Sequence, residues 1–202
     1  LCPRLTVRNC RMLKQNRGRS ILVTTPAKVL IENNYFRSAG AAVLIEGDTE
    51  LWFESGAVCD ITIRNNLFED CYTSGNNIID GPWGWGEGVI SISPSFRPQD
   101  ADAKAYHRNI RIVGNTFRHF DCAVLFARSA EGLEFSRNRL ECTRTYEPFY
   151  RPYNLFLDGC HKVRVAGNSF GPDFPGHNIG IVHMRPSEIV QRSGRPLEII
   201  CK

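Results

Sequence analysis

The stretch Ile61-Thr62-Ile63-Arg64-Asn65-Asn66-Leu67-Phe68 decides the fold, because its pattern recurs six times along the chain. The pattern is apolar, any, apolar, two of any kind, Asn, any, large apolar. The other copies are Leu5 to Met12 (LTVRNCRM), Val29 to Phe36 (VLIENNYF), Ile110 to Phe117 (IRIVGNTF), Leu133 to Leu140 (LEFSRNRL) and Val163 to Phe170 (VRVAGNSF). The Asn position falls at Cys10, Asn34, Asn66, Asn115, Asn138 and Asn168. The step is shortest from Asn115 to Asn138, nearly as short from Cys10 to Asn34, and longer elsewhere. A short basic step with variable insertions is the signature of a solenoid. A unit this small cannot bury an apolar face alone, so the units must stack.

Apolar residues two apart make these copies strands with one buried face. Each is followed by a second apolar pair: Ile21 and Val23, Val43 and Ile45, Ile90 and Ile92, Val124 and Phe126, Leu155 and Leu157, Ile179 and Ile181. At about 3.3 Å per strand residue, one repeat makes a rung with three short sides. The predicted fold is therefore all-β, a right-handed parallel β-helix of about six coils, as a single domain over residues 1–202. Asn suits the bend because it tolerates the left-handed backbone region. Stacked Asn side chains can also bond one another as a ladder. The residue two places on (Phe36, Phe68, Phe117, Leu140, Phe170) is expected to turn inward and stack. No polar cap precedes Leu5, and Leu197 to Lys202 alternates like another strand. The chain is expected to be a piece of a longer helix, with any export signal upstream.

At 202 residues and 42% apolar, the chain can bury a substantial core. A net charge of +4, with Arg64, Arg111 and Arg164 set against Glu32 and Glu134, reads as a salt-bridged solvated face. No basic stripe with interleaved aromatics occurs, so a nucleic-acid partner is not expected. No stretch is long and apolar enough for a membrane span. Eight cysteines include no CxxC pair, and Cys71, Cys122 and Cys142 follow bends where a small apolar residue suits the interior. Buried thiols are expected, with disulfide pairing left open. Metal-ligand spacing is absent, and no metal is expected.

The insertions point to function. They cover Glu69 to Glu87, Gly47 to Asp60, Ser93 to Asn109 and Glu141 to Tyr153, on both sides of the second-strand sheet. They should wall a cleft whose floor is the outward face of that sheet. The loops are rich in Trp, Tyr, Phe, Asp and Glu, a composition that suits sugars: rings pack on aromatic faces and carboxylates bond hydroxyls. Parity places Glu46, Ser93, Ala127 and Asp158 in one outward column. Glu46 and Asp158, three coils apart, would be about 14 Å from each other. Acid and base of a glycosidase need about 5 to 9.5 Å. The candidate catalytic residues are therefore Glu46, Asp48, Glu69 and Asp70, the adjacent Glu69-Asp70 pair being placed to raise one pKa by repulsion. Candidate substrate-binding residues are Trp52, Glu54, Asp80, Trp83, Trp85, Glu87 and Asp158. Of the five histidines, which read mainly as loop residues, His177 and His183 are those worth testing in the cleft.

The run Arg17 to Phe36, its continuation Ala42-Val43-Leu44-Ile45-Glu46-Gly47-Asp48 with Trp52 to Val58, and the strand Ile61 to Phe68 leading to Trp83-Gly84-Trp85-Gly86 resemble carbohydrate-active β-helix proteins. Among these the chain most resembles glycoside hydrolase family 110, the exo-acting α-1,3-galactosidases. The resemblance runs from the start of the chain to about the third repeat's second strand, Ile90 to Ile92. It implies a secreted or periplasmic enzyme that removes terminal α-1,3-linked galactose from an oligosaccharide with inversion, using a carboxylate acid and base and no cofactor. It transfers no catalytic role to a numbered position. Two other readings of the same fold stay open: a polysaccharide lyase or epimerase, and a non-catalytic carbohydrate-binding or surface module.

Overall fold

The computed structural model describes residues 2–13, 18–47, 53, 56–73, 87–148 and 152–202. Among these, three parallel sheets wind around one apolar core. The first sheet takes the opening half of each repeat: β1 (Leu5–Arg8), β4 (Val29–Glu32), β7 (Cys59–Arg64), β10 (His107–Val113), β13 (Ala130–Ser136), β16 (Val163–Ala166) and β19 (Ile189–Arg192). The second follows the bend: β2 (Arg11–Met12), β5 (Tyr35–Phe36), β8 (Leu67–Glu69), β11 (Thr116–His119), β14 (Arg139–Cys142) and β17 (Ser169–Phe170). The third holds β3 (Ile21–Val23), β6 (Val43–Ile45), β9 (Ile90–Ile92), β12 (Leu125–Arg128), β15 (Leu155–Asp158), β18 (Asn178–Val182) and β20 (Glu198–Cys201). Each strand pairs with its equivalents one repeat before and after, which is the parallel β-helix that the repeats predict.

The first pattern positions stack in register, Val29 on Ile61 and Ile61 on Ile110, and all three are fully buried. Each such side chain contributes about 1.5–3 kcal/mol by leaving water. Outward residues between them pair across strands, as Arg64 does with Glu32 at 2.6 Å and Arg164 with Glu134 at 3.9 Å. The rings behind the bend stack as expected, Phe36 on Phe68 at 5.0 Å and Phe68 on Phe117 at 4.9 Å. Cys71 and Cys122 are buried, Cys142 is half-buried, and all three are free thiols.

The bend divides its work between two residues. The left-handed backbone belongs to the residue before the key Asn: Asn9, Asn33, Asn65, Gly114, Arg137 and Gly167, with φ between 53° and 66°. The key Asn is instead the ladder. Asn66 Oδ1 accepts from the backbone N–H of Asn34 at 2.9 Å and from its side-chain amide at 3.0 Å. Asn66 Nδ2 in turn donates to Ile31 O and to Asn115 Oδ1, both at 3.0 Å. The same bonds repeat at Asn115 and Asn138, and the ladder continues to Asn168. A primary amide offers two donor hydrogens and two acceptor lone pairs, so these buried side chains are fully satisfied. At the first rung Cys10 supplies only its backbone N–H, to Asn34 Oδ1.

Two details depart from the expectation. A seventh rung exists: β19 pairs with β16 and β20 with β18. Its register puts Gly194 at the Asn position and Pro196 at the large apolar position. Proline has no N–H for a ladder. No second-sheet strand forms there among the described residues. Gln191, inward where other copies carry Val, Ile or Phe, bonds both the N–H and the C=O of Leu197 at 2.8 Å and closes the shortened path. The second departure is parity in β12. Leu125 and Ala127 pair with Ile90 and Ile92 and point inward, so Phe126 points out rather than in.

Candidate active site

The bend between the first two sheets has one length in all six copies, so every insertion enters at an edge of the third sheet. The outer face of that sheet is consequently bounded by insertions at both edges, as the expected groove requires, and Leu44, Ser91 and Phe126 on its floor are buried. One outward column runs Leu44, Ser91, Phe126, Phe156, Gly180. Two residues further along each strand lies a polar column: Glu46, Ser93, Arg128, Asp158, Val182. Arg128 pairs with Asp158 and Asp158 with Val182, while Ala127, placed in this column by parity alone, is buried in the core.

The first column is aromatic at its centre. Phe126 and Phe156 stack at 5.8 Å with ring planes 8° apart. The Tyr153 ring lies flat on Gly180, where a Cβ would sit 2.7 Å from the ring. Glycine there lets the aromatic side chain reach the backbone. The polar column is tightly bonded. Arg128 Nε donates to Asp158 Oδ2 at 2.8 Å, and His183 Nδ1 lies 2.8 Å from Asp158 Oδ1. The Arg128 and Asp158 side chains are 13% and 9% exposed, whereas that of His183 is 39% exposed. His183 follows β18 directly and takes a left-handed backbone, φ 48°. The wall from Ser93 to Asn109 is fastened beside it: Arg185 bonds Asp102 at 2.9 Å, His161 Nε2 meets Ala103 O at 2.9 Å, and Pro98 packs against Gly159.

Among the described residues, Glu46, Glu69 and Asp70 are placed apart from Asp158 and in different surroundings. Glu46 is half-buried at the far end of β6. It lies three rungs from Asp158, a separation of about 14 Å. Both oxygens of Asp158, expected to bind substrate, are engaged within the protein by Arg128 and His183. Glu69 and Asp70, read as a repelling pair, face different surroundings. Glu69 points outward beside Arg118 at 3.8 Å and next to the Tyr35 hydroxyl, which burial and then Glu69 push upward. Asp70 turns into the corner before the third sheet, φ 41°, buried, and accepts from Thr143 Oγ1 at 2.6 Å. Arg37 lies near the Asp70 charge and is raised chiefly by its hydrogen bond with Tyr146. Asp70 thus sits at the entry of a third-sheet strand and Glu46 at the exit of one, about 10 Å of strand between them. Glu87 is half-buried before β9, its N–H donating to Ser91 Oγ at 3.3 Å. Asp48, Trp52, Glu54, Asp80, Trp83 and Trp85 lie outside the described residues.

Arg128 was missed because Val124-Leu125-Phe126-Ala127 is apolar throughout and fixes no parity. The signal was available in the ladder step. Arg128 precedes Asp158 by the same interval that separates Asn138 from Asn168. Chemically, the arrangement offers the half-buried Phe156 and Tyr153 rings beside a held imidazole, with the half-buried carboxylate of Glu46 further along the floor.

No protein-family profile matches the chain. Individual proteins do. The α-1,3-galactosidase B of Bacteroides thetaiotaomicron is 44% identical over 188 residues, 93% of this chain and 29% of that protein. The α-1,3-galactosidase A of Bacteroides fragilis is 41% identical over 189 residues, 93% of this chain and 30% of that protein. The α-1,3-galactosidase B of Akkermansia muciniphila is 38% identical over 139 residues, 68% of this chain and 16% of that protein. The chain thus spans less than a third of the length of the curated relatives it matches. Along nearly all of its own length, this β-helix is a relative of one segment of the α-1,3-galactosidases.

Proposed function

We propose that the protein is a glycoside hydrolase that removes terminal α-1,3-linked galactose from a glycan, acting from the chain end and with inversion. The observation that carries this reading is the 44% identity over 93% of the chain to an α-1,3-galactosidase. The groove supports it through the half-buried Phe156 and Tyr153 rings and the adjoining polar column, which suit the apolar face and the hydroxyl edge of one sugar. Inversion requires two carboxyl groups about 6.5–9.5 Å apart, with room for a water between them. Because Asp158 is already committed to Arg128 and His183, Glu46 and Asp48 are the first candidates for a groove acid or base, and Asp70 is the candidate at the strand entry. The glycan substrate also implies export from the cytoplasm.

The test is hydrolysis of an α-1,3-galactosyl oligosaccharide by the full-length protein, with the anomer of the released galactose followed by NMR. β-Galactose as the first product supports inversion, and α-galactose overturns it. Glu46→Gln, Asp48→Asn, Glu69→Gln and Asp70→Asn are compared with wild type. A catalytic acid or base among them loses activity by about 100-fold or more. Wild type that releases no galactose refutes the assignment.

A further inference from the structure

We infer that His183 is the group that grips a substrate hydroxyl in this groove, and that Asp158 and Arg128 are positioning residues acting through it. The inference rests on the glycan reading above and deepens it. Asp158 sits beside a guanidinium and is an acceptor on both oxygens: Arg128 Nε donates to one and His183 Nδ1 approaches the other, each at 2.8 Å. A carboxylate in that role fixes the imidazole with its hydrogen on Nδ1 and leaves the Nε2 lone pair as an acceptor. The two residues behind the imidazole are nearly buried, and the imidazole itself is exposed.

His183 takes the same left-handed corner, φ 48°, as Ser129 and Gly159 at the equivalent place on the two preceding rungs. Two further observations point the imidazole at a ligand. Asp158, which holds it, lies two residues along the same strand face from Phe156. That spacing is about 7 Å, the span of one pyranose with its hydroxyls. The half-buried Phe156 ring, backed by the buried Phe126 and tilted against Tyr153, offers the apolar side of galactose a surface at the place where the Lys202 ammonium lies, 5.6 Å from the ring centre. A galactose ring lying there turns a hydroxyl edge toward Nε2, and the O–H donates to that nitrogen.

The test uses the full-length protein and D-galactose as probe. Diethyl pyrocarbonate acylates an accessible imidazole nitrogen, and peptide mass spectrometry reads the rate at His183 separately from the other histidines. Saturating galactose is expected to slow acylation of His183 by about tenfold. His183→Ala is expected to lower kcat/KM by about tenfold, the value of one good hydrogen bond, mostly through KM. Asp158→Asn and Arg128→Met, with unaltered circular dichroism, are expected to lose the protection of His183 at the same galactose concentration, a change that a merely structural role would not produce. Wild type that releases galactose while His183 reacts at one rate with and without sugar overturns the inference and leaves the hydrolase reading intact. Wild type that releases none, yet whose His183 is shielded by galactose, ends the hydrolase reading and keeps His183 as a sugar-binding group. Neither release nor shielding overturns both.

Discussion

Acid should unfold this β-helix partly through a residue remote from the groove. His107 opens β10, is fully buried, and accepts the N–H of Val58 on Nδ1 at 3.1 Å. Tyr106 covers it edge-on at 4.9 Å, and its Nε2 has no hydrogen-bond partner among the described residues. Burial pushes the imidazole down to about 4 from its ordinary 6.5. The folded protein therefore keeps His107 neutral, whereas the unfolded chain takes up a proton as pH falls below 6.5. Stability from this group is complete above that value and is lost progressively down to about pH 4. With those two values the loss relative to pH 7 is about 2 kcal/mol at pH 5 and about 3 kcal/mol at pH 4. The assay is urea unfolding of wild type and His107→Asn at pH 7, 6 and 5. Asparagine keeps an acceptor near Nδ1 but does not titrate. It leaves some unfilled volume, so the variant starts less stable at pH 7. By pH 5 the gap should narrow by about 2 kcal/mol. Other titrating groups cancel in the difference. A gap that stays constant from pH 7 to 5 would refute the reasoning.

Two predictions concern the ladder and one the groove. Asn115→Ala removes four hydrogen bonds and strips the buried backbone N–H and side-chain amide of Asn66 of their shared acceptor, while Asn138 Oδ1 keeps only the backbone N–H of residue 115. It should destabilise by about 3 kcal/mol or more, read as a lowered urea midpoint at unchanged slope. Cys10→Asn offers Asn34 Oδ1 the side-chain donor that the first rung lacks. It should stabilise by about 1 kcal/mol in the same assay. Gly180→Ala would place a methyl 2.7 Å from the Tyr153 ring and lift it off the floor, raising KM for an α-1,3-galactosyl substrate with little change in kcat.

The fold was legible because the β-helix repeats one constraint six times, and the Asn steps alone fix which strands pair. Side-chain function was less legible, for physical reasons visible at particular residues. The unbroken apolar run at β12 hid the direction of Phe126, and with it the place of Arg128. At the bend, sequence identified Asn and its ladder correctly but also gave it the left-handed dihedral, which passes to a neighbour that is Asn, Gly or Arg. The seventh rung showed only in the alternation of Leu197 to Lys202, because Gly194 and Pro196 stand where the pattern needs Asn and a ring. Burial of Asp70 could not be read at all, because its partner Thr143 is 73 residues away on a loop corner. His183 stood out only as one of two histidines worth testing, and what distinguishes it is a carboxylate 25 residues earlier.

The division of labour among the three sides explains why a groove can evolve on this scaffold at small stability penalty. The first bend carries the ladder and the ring stack, and its length is constant, so it bears stability and admits no insertion. The third sheet has insertions at both edges. Along its strands inward residues such as Leu155 and Leu157 fill the core, while Phe156 and Asp158 between and after them face the groove. A substitution on the outward positions alters what the groove binds without opening a cavity in the core, as long as the buried charges stay paired. Arg128 and Asp158 are the exception that marks the site. An ion pair this deep gains little net stability over apolar side chains of the same volume. Its presence on the outer face is better explained by what it holds, and what it holds is the imidazole of His183.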